Sequence, residues 1–158
     1  VATDRHAKIA DIVADVKTRL TALSIFEEVT HCQATSIKDI ARVLTHAVQL
    51  PAAVVVAGTG EYPRDDPMAP PQRLRELDIG VIIVGTYDVD PDAGADDVWA
   101  LEDAVDRSFT PGPHAAEVTI NGVIYEPAGT QPIALDENRA ARMLTLRTID
   151  PVQSRSDP

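Results

Sequence analysis

RELDIGVIIVGTYD, residues 75–88, is the stretch whose reading decides the fold. In a strand, successive side chains point to opposite sides. Leu77, Ile79, Val81, Ile83 and Tyr87 then share one face, and Asp78, Gly80, Ile82, Val84 and Thr86 share the other. The first face is apolar along its length; the second is polar at one end and apolar in the middle, as for a sheet face only partly covered. The segment therefore predicts the central strand of a sheet. Past DVDPDAG, the run 96–109 places Val98, Leu101, Val105 and Phe109 at helical spacing, which predicts a helix packed back across that sheet.

Working outward toward the N-terminus, Ala52-Ala53-Val54-Val55-Val56-Ala57 follows Pro51 and reads as a strand buried on both faces, ended by Gly58-Thr59-Gly60. Ahead of it, Ile25 to His31 suits a short strand or an extended link. Ser36, with Asp39 three residues on, opens a short helix through Ile40, Val43 and Leu44. Ile9, Ile12, Val13, Val16, Leu20 and Leu23 form one stripe of an amphipathic helix of about four to five turns. Its N-cap is expected at Thr3 or Asp4.

On the C-terminal side, Thr110-Pro111-Gly112-Pro113 is a hard stop. Glu117 to Tyr125 reads as a hairpin turning at Asn121-Gly122, a pair suited to two positive-φ positions. A closing strand runs from Arg139 or Arg142 to Ile149, with Leu144 and Leu146 on one face and Met143, Thr145 and Arg147 on the other. Residues 151–158 read as a flexible polar tail. The expectation is one α/β (α+β) domain over residues 1–150. Its sheet, mixed or antiparallel, has about four to five strands and is flanked by an N-terminal helix and a second helix.

Composition narrows the function classes. The chain has 158 residues, 25 acidic and 14 basic, for a formal charge of -11, and only 4% of its residues are aromatic. Acid spread over the whole chain repels nucleic acid and anionic lipid. An aliphatic core suits a packed scaffold better than a platform for stacking bases. Cys32 is the single cysteine, so the chain has no intrachain disulfide and no Cys-x-x-Cys motif. No run of about 18 apolar residues and no leader-like N-terminus is present, which points to synthesis in the cytoplasm without a membrane span.

The motifs that carry chemistry mostly fail in detail. Asp88, Asp90 and Asp92 alternate as in a calcium loop, but Ala93 and Trp99 stand where the turn glycine and bidentate Glu belong. An acidic loop that caps the next helix through Asp96 or Asp97 fits better than a cation site. Gly58-Thr59-Gly60 lacks the Gly-Lys-Ser/Thr of a phosphate loop. His6, His31, His46 and His114 show no metal-ligand spacing. Cys32 lies beside His31, yet neighbours on a strand point apart. The reading is thus no catalytic residue, no cofactor and no metal. Two features remain as interaction surfaces. Trp99, about 100° round the helix from Val98, serves either as a flank of the core or as a subunit contact. The proline-rich segment 61–72, with Tyr62, Arg64, Asp65 and Asp66, is either a connector or an interface loop.

The order of these elements resembles the tail terminator proteins of long-tailed bacteriophages, including the minor tail proteins of Mu-like prophages. The resemblance is carried by RELDIGVIIVGTYDVD, DDVWALEDAVDRSF, VTINGVIYEP and MLTLRTID, and spans about Arg5 to Asp150. It implies a virion protein that forms a ring, usually of six copies, stops growth of the tail tube and joins tail to head. Its implied partners are itself, the tail-tube protein and the head-to-tail connector proteins, with DNA passing through the lumen unbound. A head-to-tail connector or another neck protein of related fold is the near alternative. A small-molecule-binding domain or enzyme with a pocket under loop 61–72 is the alternative of a different class.

Overall fold

The computed structural model describes residues 2–33, 49–63, 74–86, 91–113, 117–133 and 139–156. In chain order the elements are β1 (Ala2–Arg5), α1 (Ile9–Ala22), β2 (Glu28–Cys32), β3 (Ala52–Glu61), β4 (Leu74–Thr86), α2 (Pro91–Phe109), β5 (Val118–Ile120), β6 (Val123–Ile133), β7 (Arg139–Pro151) and β8 (Gln153–Ser156). The fold is a single α+β domain. Its main sheet has six strands in the order β2-β3-β4-β7-β6-β5, more than the four to five expected, and β1 pairs with β8 in a separate two-stranded sheet. Among the described residues, β2 and β3 alone run parallel; the other pairings are antiparallel.

β4 lies inside the sheet, hydrogen-bonded to β3 and β7, and its two faces sort as the alternation requires. Leu77, Ile79, Val81 and Ile83 join one core with Ile12, Val16 and Leu20 of α1 and Val98, Val105 and Phe109 of α2. Both helices therefore cover the same face. Ile82 and Val84 point the other way, into a smaller cluster with Val54, Val56 and Ala141. β7 follows the same rule, with Leu144 and Leu146 in the helix-side core and Met143 against the smaller cluster. Gly85 lets α2 approach the sheet closely: a Cβ there would stand 2.7 Å from Val98 Cγ2. The hairpin forms as read, with Asn121 at φ 52° and Gly122 at φ 78° in the turn between β5 and β6.

Five expectations are corrected. Thr3 and Asp4 do not cap α1 but belong to β1; the helix starts after Lys8, with no side-chain cap. Residues 153–156 are not a loose tail, because Gln153 to Ser156 pair residue for residue with Arg5 to Ala2. Gly58-Thr59-Gly60 does not end β3; the strand continues to Glu61 through a register shift between Ala57 and Gly60, where an extra residue is absorbed as a bulge. α2 starts at Pro91, not near Asp96, so Asp96 and Asp97 are inside the helix instead of capping it. Proline suits a first helical position because the N–H it lacks would have no intrahelical partner there, and acids are favoured in the first turns. Ile9, assigned to the buried stripe, is 44% exposed. The short helix expected through Ile40, Val43 and Leu44 falls outside the described residues.

Candidate interaction surfaces

Asp150 organises the end of the sheet where β4 begins and β7 ends. Its carboxylate is fully buried. It accepts hydrogen bonds from the Ala7 backbone N–H at 3.1 and 3.3 Å, from Arg75 Nη2 at 2.9 Å and from Arg155 Nη2 at 3.4 Å. Arg75 also donates to the Ala7 carbonyl, and Arg155 to the Asn121 carbonyl. One acid thus ties together β4, β8, the hairpin turn and the segment that leads into α1. A buried charge persists only when it is paired and hydrogen-bonded in this way.

Tyr62 emerges just past β3 at this same end of the molecule, 69% exposed, with its ring tilted 55° against His6 at a centroid distance of 5.8 Å. It is an apolar surface held beside the β1–β8 ribbon. Arg64, Asp65 and Asp66, expected to act with it, lie outside the described residues.

Trp99 stands on α2, one position past Val98, and is 53% exposed. It belongs to neither buried cluster. Its turn of helix is fixed by neighbours on both sides. Val98 rests on Gly85, and Glu102 Oε2 accepts from Arg142 Nε in a largely buried ion pair, with Arg142 also donating to Thr130 Oγ1. Trp99 and Tyr62 do not form one patch. Glu61 pairs with Glu76, near the start of β4, while Val98 meets Gly85 near its end; from residue 76 to 85 the strand rises about 30 Å at ~3.3 Å per residue.

Two hollows border α1, on opposite sides of a crest at Ala14, which lines both. One, of about 490 Å³, is polar, with Asp11 and Asp15 facing Arg5, Asn121, Gln153 and Arg155. Asn121 Nδ2 donates to both oxygens of Asp15 at 3.0 and 3.1 Å. Burial still pushes the Asp15 carboxyl above its ordinary value; the Asn121 hydrogen bond opposes that shift, Asp11 adds to it, and Arg155 opposes it more weakly. Nearby, burial raises the Tyr125 phenol well above its ordinary 10, so it stays neutral.

The other hollow, of about 520 Å³, runs between α1 and the ends of β2 and β3. Ile9, Ala10, Val13, Ala14 and Ala57 give it apolar walls; His31, Cys32 and Gln33 close its strand side. Lys17, at its rim, donates through Nζ to His31 Nδ1 at 2.9 Å. His31 and Cys32 do point apart, since Cys32 packs toward the smaller cluster while His31 meets α1. Of the described residues of 61–72, Glu61, Tyr62 and Pro63 line neither hollow.

Among the described residues no group of three or more His, Cys, Asp or Glu is placed to hold a metal ion, and no helix is long and apolar enough to cross a membrane. No protein-family model matches the chain, and no curated protein is similar to it.

The sequence named Trp99 and Tyr62 but missed Asp150, Arg75 and Arg155, and it missed the groove beside α1. Nothing local marks those three charged residues: Arg75 is 75 residues from Asp150, and Arg155, five residues past it, reaches back only because β8 folds against β1. The groove had a faint signal in Ala10 and Ala14, small residues on a helix face where a larger side chain would fill the space.

Proposed function

We propose that this protein is a structural subunit of a long-tailed phage virion, a tail terminator that closes into a ring of six, ends growth of the tail tube and joins the tail to the head. The observation that carries this reading is the pair of exposed aromatic side chains, Trp99 on α2 and Tyr62 just past the end of β3, in separate regions of a small α+β scaffold. A contact that uses one patch on one copy and a different patch on the next is heterologous, and heterologous contacts with a closing rotation generate rings. Trp and Tyr are enriched among residues that anchor such contacts. The ion pair beneath Trp99 and the bonded network beneath Tyr62 fix the surfaces that present them, which lowers the ordering cost of assembly.

The formal charge of -11 supports a conduit role. A lumen of like charge gives DNA phosphates no counterion-release attraction, so the genome slides through without sticking. In this role the protein binds itself, the tail tube and the head-to-tail connectors, and resides in the virion tail or neck.

The test is imaging of tails assembled with and without the protein, alongside deletion of residues 64–69. The protein is expected as a single ring at the head-proximal end, and tails made without it are expected to overgrow and remain unjoined to heads. The deletion is expected to leave a folded subunit that fails in ring closure or tube attachment. One isolated copy per tail, or normal joined tails in the protein's absence, would overturn the reading.

A further inference from the structure

Trp99 is a large apolar side chain on the outer face of α2, with Ala100, Asp103 and Arg107 exposed around it. The groove between α1 and the ends of β2 and β3 is a hollow of about 520 Å³ with apolar walls. One is an apolar knob and the other an apolar hollow, and they lie on different elements. We propose that Trp99 of one copy seats in the α1–β2 groove of the next copy, and that this knob-and-groove contact is the repeating subunit interface. The proposal rests on the reading of the protein as a self-assembling subunit and specifies the two surfaces that meet.

Size and polarity both fit. An aromatic side chain buries about 150–250 Å² when enclosed, and the groove has room for one indole ring. Ile9, at 44% exposed, and the small residues Ala10 and Ala14 form a wall that no described residue of the same copy covers fully. Charge points the same way. Among its residues whose side chains are described, α2 carries Glu102, Asp103 and Asp106 against the single base Arg107. The one charged residue lining the groove, among the described residues, is Lys17, while the acids of α1, Asp11 and Asp15, line the hollow on the other side of the Ala14 crest. An acidic helix therefore docks on a basic rim, with the Lys17 ammonium placed to meet the indole face or Asp103. A contact between identical acidic surfaces would instead set like charges against each other.

The contact is heterologous, so complementation isolates it. Trp99→Ala keeps the groove and loses the knob; Ala10→Glu, at an exposed helix position, keeps the knob and puts an acid into the groove. In concentrated solution the unmodified protein is expected to associate. Because Trp99 is the sole tryptophan, its emission should shift to the blue as it does so. Each variant alone is expected to associate at least tenfold more weakly, with an unchanged unfolding midpoint. Mixed together, the two variants should form one-to-one pairs and nothing larger, since only one productive contact remains.

Position follows from Gln33, exposed at the groove and two residues past His31, so on the same side as His31; Cys32, between them, points toward the smaller cluster and is replaced by Ser. With Cys32→Ser, Gln33→Cys and Asp103→Cys combined, an added oxidant should remove the two thiol hydrogens and join position 33 of one copy to position 103 of the next, giving a covalent ladder that Trp99→Ala abolishes. Absence of that ladder overturns the proposal, as does association indifferent to both variants or a groove that binds free indole while copies remain separate. If rings form on tail tubes yet ignore both variants, this contact is wrong and the terminator reading stands. If the contact forms while tails end normally without the protein, the terminator reading fails and the contact stands.

Discussion

Replacing Asp150 with Asn removes one charge and leaves nearly the same shape, which makes it the sharpest probe of what holds the chain ends to the sheet. The carboxylate is fully buried and the side chains of Arg75 and Arg155 are largely so, at 13% and 15% exposure. Asn can still offer one oxygen to the Ala7 N–H, but its amide nitrogen then faces guanidinium donors. Arg75 retains the Ala7 carbonyl and Arg155 the Asn121 carbonyl, so each cation keeps one acceptor and loses its counter-charge. Removing one partner of a buried ion pair costs about 3–5 kcal/mol. For a domain of this size each kcal/mol moves the midpoint by about 2–4 °C, so the loss should be about 6–20 °C. Asp150→Ala should cost about 1–3 kcal/mol more, because the Ala7 N–H is then left without an acceptor.

Urea unfolding at neutral pH measures this directly. The midpoint is expected to fall with little change in slope if the whole domain unfolds as one unit. Added salt should leave the difference nearly intact, since buried pairs are weakly screened. An Asn variant within about 1 kcal/mol of the unmodified protein would refute the argument that Asp150 is a structural counter-charge. A reduced slope, with early exchange of the Ala7 amide, would mean instead that the β1–β8 ribbon opens separately from the sheet.

Two further outcomes are expected. Gly85→Ala forces a Cβ to within 2.7 Å of Val98 Cγ2, so α2 must lift or β4 bend; the expected loss is about 1–3 kcal/mol, and a fully stable variant in thermal melts would show the helix to be more loosely seated. Asp15 has a folded pKa raised above its unfolded value of 3.8, so the folded state binds the proton more tightly and stability declines as pH rises from 3.8 through the folded pKa. Asp15→Asn should therefore be as stable as or more stable than the unmodified protein at neutral pH, with the advantage shrinking toward pH 3.8; an advantage that instead grows on acidification would reverse the sign.

What the sequence disclosed and what it hid divide along a physical line. β4, β7, α1 and the hairpin were legible because their apolar residues recur with the period of the element, or because Asn121-Gly122 takes up backbone angles few pairs tolerate. β1 and β8 were not. Each is four residues long with a polar sequence, ATDR and QSRS, and each becomes a strand only by finding the other more than 140 residues away. Asp150 was hidden for the same reason: its burial depends on Arg75, Arg155 and the Ala7 N–H, none of them its near neighbours along β7. The start of α2 was misplaced because Gly94 and the surrounding acids resemble a turn, while Pro91 fits a helix opening equally well. Trp99 was legible as a residue to single out, but its exposure was settled by packing, with Val98 on Gly85 taking the inward position.

The β1–β8 pairing also sets a clock. Ala7 and Asp150 stand 143 residues apart, and Arg5 and Ser156, 151. Contacts this distant in sequence form late, since the loop between them must be closed before the bond rewards it. At roughly 5–20 residues per second, about 7–30 seconds of synthesis separate the two sides of the clasp. Through that interval the segment leading into α1 has neither the Asp150 carboxylate nor β8 to hold it. The polar hollow beside α1, lined in part by Gln153, Ser154, Arg155 and Ser156, takes its final shape only when β8 arrives.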